Sequence, residues 1–232
     1  MKEDLVEVVA ILDISGSMKP IAADTINGFN EYLAQLTKQP ETVNVSLVLF
    51  NTESKVIYEH KPASKCKRLN KQTYYPYGGT ALTDALGLAV TNMQTYIQSL
   101  PEELKPGKVS FFVSTDGTEN SSSVFTIEQV QQLVQKSTED DKFEFIFIGA
   151  NIDSFEMGRK LGFHEDNIAN IENDGIAQKA MFEAVAEWQM NKPKSKRNRS
   201  AEECDEMNEK CDIPQSLNMQ QMYSNNVMLK RK

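Results

Sequence analysis

The sequence predicts an α/β fold with a doubly wound, mainly parallel central sheet, one antiparallel edge strand and helices on both faces. Short apolar runs alternate along the chain with longer segments whose apolar residues recur at helical spacing. This alternation is typical of parallel sheets that are built from strand–helix–strand units. The second and third apolar runs are joined only by Asn51-Thr52-Glu53. Such a short connection predicts a hairpin, and hence the antiparallel edge strand.

Each element follows from its local pattern. Residues 5–12 are an apolar run that predicts a buried strand. Residues 21–38 predict a helix, because five apolar side chains recur at spacings compatible with one stripe: Ile21, Ile26, Phe29, Leu33 and Leu36. Further strands are predicted at 43–50, at 54–60, from Val109 onward, at 143–148 and at 167–171. Further helices are predicted at 81–99, 126–138, 155–161 and 175–190, and a long polar loop at 61–79.

The composition is that of a globular protein. Of the 232 residues, 40% are hydrophobic and 25% are charged, and both values are close to the average of folded domains. No apolar run approaches the roughly 18 residues that a membrane span needs, so no membrane partner is expected. Glu7 and Asp13 interrupt the N-terminal apolar run, which is unlike a secretory signal. We therefore expect a cytoplasmic protein.

The cysteines favour the same compartment. Cys204 and Cys211 are seven residues apart in a segment with helical character, which is too far for a disulfide without distortion. A zinc site would need closer cysteine pairs, and the spacing of His60 and His164 does not fit one. Together with Cys66, these cysteines are predicted to be free thiols.

Charge divides the chain into a body, residues 1–190, and a tail, residues 191–232. The body holds 16 Lys and Arg against 27 Asp and Glu, a net charge of −11. The tail holds 9 Lys and Arg against 6 Asp and Glu, a net charge of +3. An acidic body argues against a nucleic-acid-binding domain, since phosphate contacts need clustered cations. The basic run at 192–199 is interpreted as a solvated linker, with contact to nucleic acid or an acidic partner as the alternative.

The tail has too few apolar residues to build its own core. Residues 201–211 are compatible with a polar helix and 217–223 with a Met-rich helical turn. Met219, Met222 and Met228 suit docking on the body or gripping another protein, because methionine adapts to irregular surfaces. The composition favours a mobile tail over both alternatives.

Three polar motifs follow predicted strands or open helices. Asp13-Ile14-Ser15-Gly16-Ser17 follows the first strand, Tyr77-Gly78-Gly79-Thr80 precedes the 81–99 helix, and Ser114-Thr115-Asp116-Gly117 ends the strand that begins at Val109. Open α/β sheets place their sites outside the carboxyl ends of the strands. Carboxylate and hydroxyl oxygens are hard ligands. The three motifs therefore predict a hard-cation site at this edge of the sheet.

In this order and on these elements, the motifs resemble the metal-ion-dependent adhesion site of a von Willebrand factor type A (VWA) domain. The resemblance covers roughly residues 4–190 and is confirmed at the sequence level by the strand context of each motif. In size and in the absence of a signal, the chain is similar to short, stand-alone bacterial or phage VWA proteins, including those of the tellurite-resistance type. Such proteins commonly serve as adaptors for larger assemblies or ATPases.

The resemblance implies the ligand set. Ser15, Ser17 and Thr80 match the family's hydroxyl ligands, and Asp13 and Asp116 match its carboxylates, which often act through waters. The expected metal is Mg²⁺, with Mn²⁺ or Ca²⁺ as alternatives. The expected partner is another protein, whose Asp or Glu completes the coordination.

Several neighbouring residues have two interpretations. Glu119 is a candidate to support the site from behind the ligands, although a solvated loop carboxylate is favoured. Asp84 either orients a bound water or favours the helix N-terminus through the dipole. Tyr74, Tyr75 and Tyr77 either anchor an interface or pack the long loop against the body.

Two other functions stay open. The first is a Mg²⁺-dependent phosphohydrolase with Asp13 as the nucleophile. A phosphatase that begins with an acidic strand end would have a second carboxylate two positions on, where Ser15 stands, and the sequence has no nucleotide-binding Gly-x-x-x-x-Gly-Lys-Ser/Thr loop. We therefore predict that the chain is not an enzyme. The second is a structural component that self-assembles through its tail.

Overall fold

A six-stranded sheet forms the centre of the protein in a computed structural model, which describes residues 2–141, 143–150, 153–191 and 218–231. The strands are β1 (Lys2–Asp13), β2 (Thr42–Phe50), β3 (Ser54–Pro62), β4 (Pro106–Thr115), β5 (Glu144–Ala150) and β6 (Ile168–Ile171). Their order is β3-β2-β1-β4-β5-β6. Over the described ranges, β3 pairs antiparallel with β2 and every other neighbouring pair is parallel. The predicted doubly wound sheet with one antiparallel edge strand is confirmed.

Helices cover both faces of the sheet. They are α1 (Ala22–Leu36), α2 (Leu82–Ser99), α3 (Ile127–Glu139), α4 (Ser154–Lys160), α5 (Gly175–Asn191) and α6 (Met219–Lys230). The core on one face is shared by α1, α5 and α6, and the core on the other face by α2, α3 and α4. In the part of the chain that the structure describes, no helix has both the length and the apolarity to cross a membrane.

Strand β1 lies in the middle of the sheet and contributes to both cores. Val8, Ala10 and Leu12 face α1 and α5, whereas Val9 and Ile11 face α2, and all five are buried. This follows from the two-residue period of a strand. Leu12 is paired with Leu49 of β2 and Ser114 of β4. The carboxyl ends of these three parallel strands are therefore level with one another, and the residues after them meet at one edge.

The first helix differs from its prediction at its start. Residues Gly16–Ile21 form a 3-10 helix, and α1 begins only at Ala22. Pro20 lies within this tighter turn, where it has a fixed φ and no N–H to donate. The Ser17 side chain is therefore held on a short, stiff segment between β1 and α1.

Glu7 on β1 is a fully buried carboxylate that the apolar pattern of this strand does not predict. Its Oε1 accepts a hydrogen bond from Asn44 Nδ2 at 2.8 Å, and its Oε2 lies 3.1 Å from Nδ1 of His60. The His60 ring stacks on Tyr96 of α2, and its backbone has a positive φ of 46°. This polar cluster ties the antiparallel edge strand to the centre of the sheet.

Helix α6 corrects the prediction of a mobile tail for residues 218–231. The helix runs to Lys230, beyond the predicted turn at 217–223, and packs against α5 and β6. Met219 and Met222 are buried, whereas Met228 is 65% exposed. Gln220 Oε1 accepts the N–H of Asn170 at 2.7 Å, which occupies a donor of the edge strand β6. The basic run, the predicted helix at 201–211, Cys204 and Cys211 lie outside the described residues.

Candidate metal centre

Asp13 is the most deeply buried of the five predicted site residues. It ends β1, it has no exposed surface, and both of its carboxylate oxygens accept hydrogen bonds. Oδ1 accepts the N–H of Ser15 at 2.5 Å, and Oδ2 accepts the hydroxyl of Thr115 at 2.6 Å. Burial raises the pKa of Asp13 to about 6, and these hydrogen bonds oppose the rise because they stabilise the charged form.

The hydroxyls of Ser15 and Ser17 and the carboxylate of Asp116 lie next to Asp13. The Oγ atoms of Ser15 and Ser17 are 3.0 Å apart, and Ser17 donates to Oδ1 of Asp116 at 2.6 Å. Asp116 follows β4, which is directly beside β1 in the sheet. Ser15 and Asp116 are buried, whereas Ser17 is exposed. The cluster therefore opens to solvent at Ser17.

The glycine-rich loop brings Thr80 to the same place. Gly16 donates its N–H to the carbonyl of Gly78 at 3.0 Å, and Tyr77 donates to the carbonyl of Ile14 at 2.8 Å. Gly78 has a φ of +79°, a conformation that favours glycine. A Cβ placed on Gly117 would lie 2.8 Å from Oγ1 of Thr80. The Thr80 hydroxyl thus points at the turn that carries Asp116.

The structure brings all five predicted residues together, and their arrangement suits a small hard cation. At Mg–O distances of about 2.1 Å, adjacent ligands of an octahedron are roughly 3 Å apart. The Ser15–Ser17 separation of 3.0 Å agrees with this spacing. The set offers two carboxylates and three neutral hydroxyls. Within the described residues, no group of three or more His, Cys, Asp or Glu side chains forms an alternative metal cluster. Metal binding itself stays a prediction.

The surroundings include polar residues that the sequence motifs do not identify. Asn173 Nδ2 donates to Oδ2 of Asp116 at 3.3 Å. Asn51 donates to the carbonyl of Tyr77 at 2.9 Å and accepts from Ala81 through its own carbonyl at 2.6 Å. Asn51 follows β2 at the same edge of the sheet, so its position at a strand end was the available signal. Asn173 follows the end of β6 by two residues, so the same signal was available for it.

Asp84 lies in the first turn of α2, as the helix-dipole interpretation expects, and both Asp84 and Glu119 have further structural roles that the sequence interpretations did not include. Asp84 accepts three backbone N–H groups, those of residues 123–125, at 2.8–2.9 Å. Glu119 accepts the N–H of Thr83 at 2.9 Å and three further hydrogen bonds from Ser121 and Ser122. Glu119 is therefore not a solvated loop carboxylate. Together the two acids fix the loop after Asp116 against the start of α2.

The three tyrosines divide between the two interpretations. Tyr74 is buried, and its hydroxyl donates to the carbonyl of Asp13 at 2.6 Å. Burial raises its pKa far above the ordinary value of a tyrosine. Tyr75 and Tyr77 are 65% and 53% exposed, and their ring centroids are 6.1 Å apart. Packing thus describes Tyr74, whereas the other two remain accessible beside the candidate centre.

Solved structures of similar fold come from several sources. Proximal thread matrix protein 1 of the mussel byssus has a TM-score of 0.59 and 16% identity, covering 78% of this chain and 45% of that one. Another structure of that protein, with a zinc-occupied MIDAS motif, has a TM-score of 0.57 and 15% identity, covering 82% and 47%. A von Willebrand factor type A protein from Catenulispora acidiphila has a TM-score of 0.53 and 18% identity, covering 80% and 42%. The chain therefore spans less than half the length of these structures.

The sequence comparison places the chain in a family. A search of curated proteins found no match. The family model described as von Willebrand factor type A domain matches residues 7–183, which is most of the chain and contains all three site motifs. Because this match agrees with the observed sheet and helices, the chain belongs to the von Willebrand factor type A domain family.

Proposed function

We propose that this chain is a divalent-metal-dependent protein-binding module in which an Asp or Glu of another protein completes the metal coordination. One observation carries the proposal: Asp13, Ser15, Ser17, Thr80 and Asp116 converge at one edge of the sheet. Within its family, metal-dependent protein interaction is common. We further propose that the module is a cytoplasmic adaptor in a larger assembly, and Cys66 as a free thiol supports a reducing compartment.

The residues of the site would have different roles in binding a cation. Both oxygens of Asp13 are already hydrogen-bonded, so this carboxylate is suited to act through water. Ser15, Ser17 and Thr80 would supply neutral oxygens, which leave a bound cation electron-poor and receptive to an anionic ligand. Exposed Ser17 marks the side on which a partner would approach. Bound Mg²⁺ would supply the Lewis acid that receives the partner's carboxylate.

The metal is expected to be Mg²⁺, with Mn²⁺ or Ca²⁺ as alternatives. The donor atoms are carboxylate and hydroxyl oxygens, which are typical ligands of these hard cations. Zinc more often takes nitrogen and sulfur ligands, and no His or Cys belongs to the cluster. Mg²⁺, Mn²⁺, Ca²⁺ and Zn²⁺ compared by isothermal titration calorimetry would rank the four.

A pull-down from lysate of the source cells tests the proposal directly. We expect a partner to be captured in Mg²⁺ and lost in EDTA. The Asp116→Asn variant should lose it too, since the substitution removes a carboxylate with little change of shape. Asp140→Asn is the matched control, because this exposed acid lies at the C-terminal end of α3. A partner retained both in EDTA and by Asp116→Asn would show that recognition does not require the metal.

The geometry does not favour the phosphohydrolase alternative. A nucleophilic carboxylate needs an oxygen that can reach the phosphorus atom. Asp13 is fully buried, and each of its oxygens already accepts a hydrogen bond. We expect no turnover of p-nitrophenyl phosphate in Mg²⁺ above that of the Asp13→Asn variant. Hydrolysis that is lost in this variant would establish the enzyme instead.

A further inference from the structure

The segment before the Gly-Gly-Thr turn is basic in a protein that is otherwise acidic. Residues 65–77, here called the basic loop, contain Lys65, Lys67, Arg68 and Lys71 and no acidic residue. All four cations are exposed. The body as a whole has 16 Lys and Arg against 27 Asp and Glu. The loop is therefore a local reversal of charge.

These cations also lack acidic partners within the described part of the chain. Beyond residue 100 most described basic side chains are ion-paired, as Lys108 is with Glu144 and Lys230 with Glu183. The described lysines before residue 65 resemble the loop cations in having no such pair. None of the four loop cations has an acid within ion-pair distance among the described residues. Their charge is thus free to act on an approaching molecule.

The basic loop is held in a fixed path that leads to the candidate metal centre. Its middle is anchored on α1, where Asn30 bonds both the N–H of Leu69 at 2.8 Å and the carbonyl of Leu69 at 2.9 Å. Its end is anchored on the centre, where Tyr74 donates to the Asp13 carbonyl and Tyr77 to the Ile14 carbonyl. A partner peptide whose acid reached the metal could therefore extend along the basic loop and stay in contact with the surface of this protein.

Tyr75 and Tyr77 occupy the end of the loop nearest to the centre. They are 65% and 53% exposed, and their rings lie 6.1 Å apart. Exposed aromatic side chains on an ordered backbone are typical anchors in protein interfaces, because they bury a large apolar area with little loss of conformational entropy.

We propose that the basic loop and the Tyr75–Tyr77 pair form a docking surface for an acidic protein segment that contains an apolar side chain. The cations would attract the segment, the tyrosines would pack on its apolar residue, and one of its acids would reach the metal centre. This inference rests on the proposed metal-dependent recognition. A nucleic acid fits less well, because the four cations lie on a body with 27 acidic against 16 basic residues, which would repel its repeated phosphates.

A direct binding measurement tests the surface. The probe is a fluorescein-labelled peptide of alternating glutamate and glycine with one central phenylalanine, and its partner peptide has glutamine in place of glutamate. We expect fluorescence anisotropy in Mg²⁺ to show tighter binding of the acidic peptide. The K65Q/K67Q/R68Q/K71Q variant should bind it about tenfold more weakly, as expected for the loss of several exposed ion pairs, and with a smaller salt dependence. Tyr75→Ser with Tyr77→Ser should weaken it by a similar factor.

The control variant K2Q/K38Q/K136Q/K160Q removes the same number of exposed cations away from the loop. Lys160 is ion-paired with Glu156, but an exposed pair of this kind contributes little to stability. Thermal melting should be the same for both quadruple variants, and so should the Mg²⁺-induced rise in melting temperature. Equal peptide affinity in the two would overturn the docking surface. So would the absence of binding to the wild-type protein, or tighter binding of single-stranded oligothymidine of the same length. Binding that depends on the loop but persists in EDTA and in Asp116→Asn would support the surface and contradict the metal-dependent function.

Discussion

At the scale of single residues, the Thr80 hydroxyl is the ligand whose contribution can be isolated most cleanly. Thr80 is 2% exposed and faces the Asp116–Gly117 turn. Thr80→Val keeps the shape and removes the hydroxyl, and we expect Mg²⁺ affinity to fall by at least about tenfold. Thr80→Ser keeps the hydroxyl and is the matched control. Calorimetric titration measures both, and equal affinities would exclude Thr80 from the ligand set.

Cys66 gives a pH-dependent prediction away from the site. Burial raises the pKa of this thiol to about 11, and its Sγ lies 3.5 Å from the carbonyl oxygens of Lys61 and Pro62. Because only the thiolate reacts with iodoacetamide, alkylation should be slow at pH 8 and should accelerate as the pH rises towards 11.

The alkylation is measured in a variant with Cys204→Ser and Cys211→Ser, so that one thiol remains. In urea the pKa returns to that of an ordinary cysteine, and we expect reaction at pH 8 to be roughly a hundredfold faster. Equal rates in the folded and unfolded protein would contradict the burial of this thiol.

At the scale of elements, the docking of α6 is the feature with the largest consequence for stability. Met219 is fully buried against the core of α1 and α5, whereas Met228 on the same helix is 65% exposed. Met219→Ala should lower the free energy of unfolding by about 2–5 kcal/mol. Met228→Ala is the matched control and should change it by less than about 0.5 kcal/mol.

Urea denaturation followed by circular dichroism distinguishes these variants. If Met219→Ala were as stable as Met228→Ala, α6 would not be packed on the body in solution. Self-assembly through the tail needs a separate test. Deletion of the whole tail would remove Met219 and expose the core that it covers, so a change in oligomeric mass could then result from damage to the fold. Met228→Ser with Leu229→Ser, at positions 65% and 72% exposed, tests self-assembly without that damage. An unchanged oligomeric mass would argue against it.

The loop at 119–125 shows that a prediction of helices and strands does not give the contacts that hold a loop in place. Residues 119–125 have no regular secondary structure before α3 begins, yet Asp84 bonds their backbone from across about 40 positions of sequence. Turn chemistry identifies such a segment as a loop. It does not identify the distant acid that satisfies the backbone donors of the loop.

At the scale of the whole molecule, metal binding should stabilise the fold, because the candidate ligands come from segments that are far apart in sequence. Asp13 ends β1, Asp116 follows β4, and Thr80 lies on the loop before α2. A cation that binds only the native state stabilises it by about 2.7 kcal/mol when its concentration is a hundred times the Kd. We expect Mg²⁺ to raise the free energy of unfolding by this amount in the wild-type protein and not in Asp116→Asn.

Chemical denaturation with and without Mg²⁺ measures the effect, with NaCl added to keep the ionic strength constant. The same stabilisation in the variant would place the cation elsewhere on this acidic body. The predicted domain boundary between residues 190 and 191 stays a prediction. In the structure α5 extends to Asn191, and α6, which belongs to the predicted tail, packs against α5.

The sequence by itself determined the sheet, its antiparallel edge and the five candidate ligands. The sheet and its edge depend on local patterns: the period of each strand and helix, and the short connection before β3. The ligand set follows from the resemblance of the three polar motifs at strand ends to the adhesion site of the family. Only the tertiary structure decided the partners of Glu7, Asp84 and Glu119, the burial of Tyr74 beside the exposed Tyr75, and the docking of α6. Each of these rests on contacts between residues that are distant in sequence, and a one-dimensional pattern has no record of which distant group meets a buried polar atom or an apolar helix face.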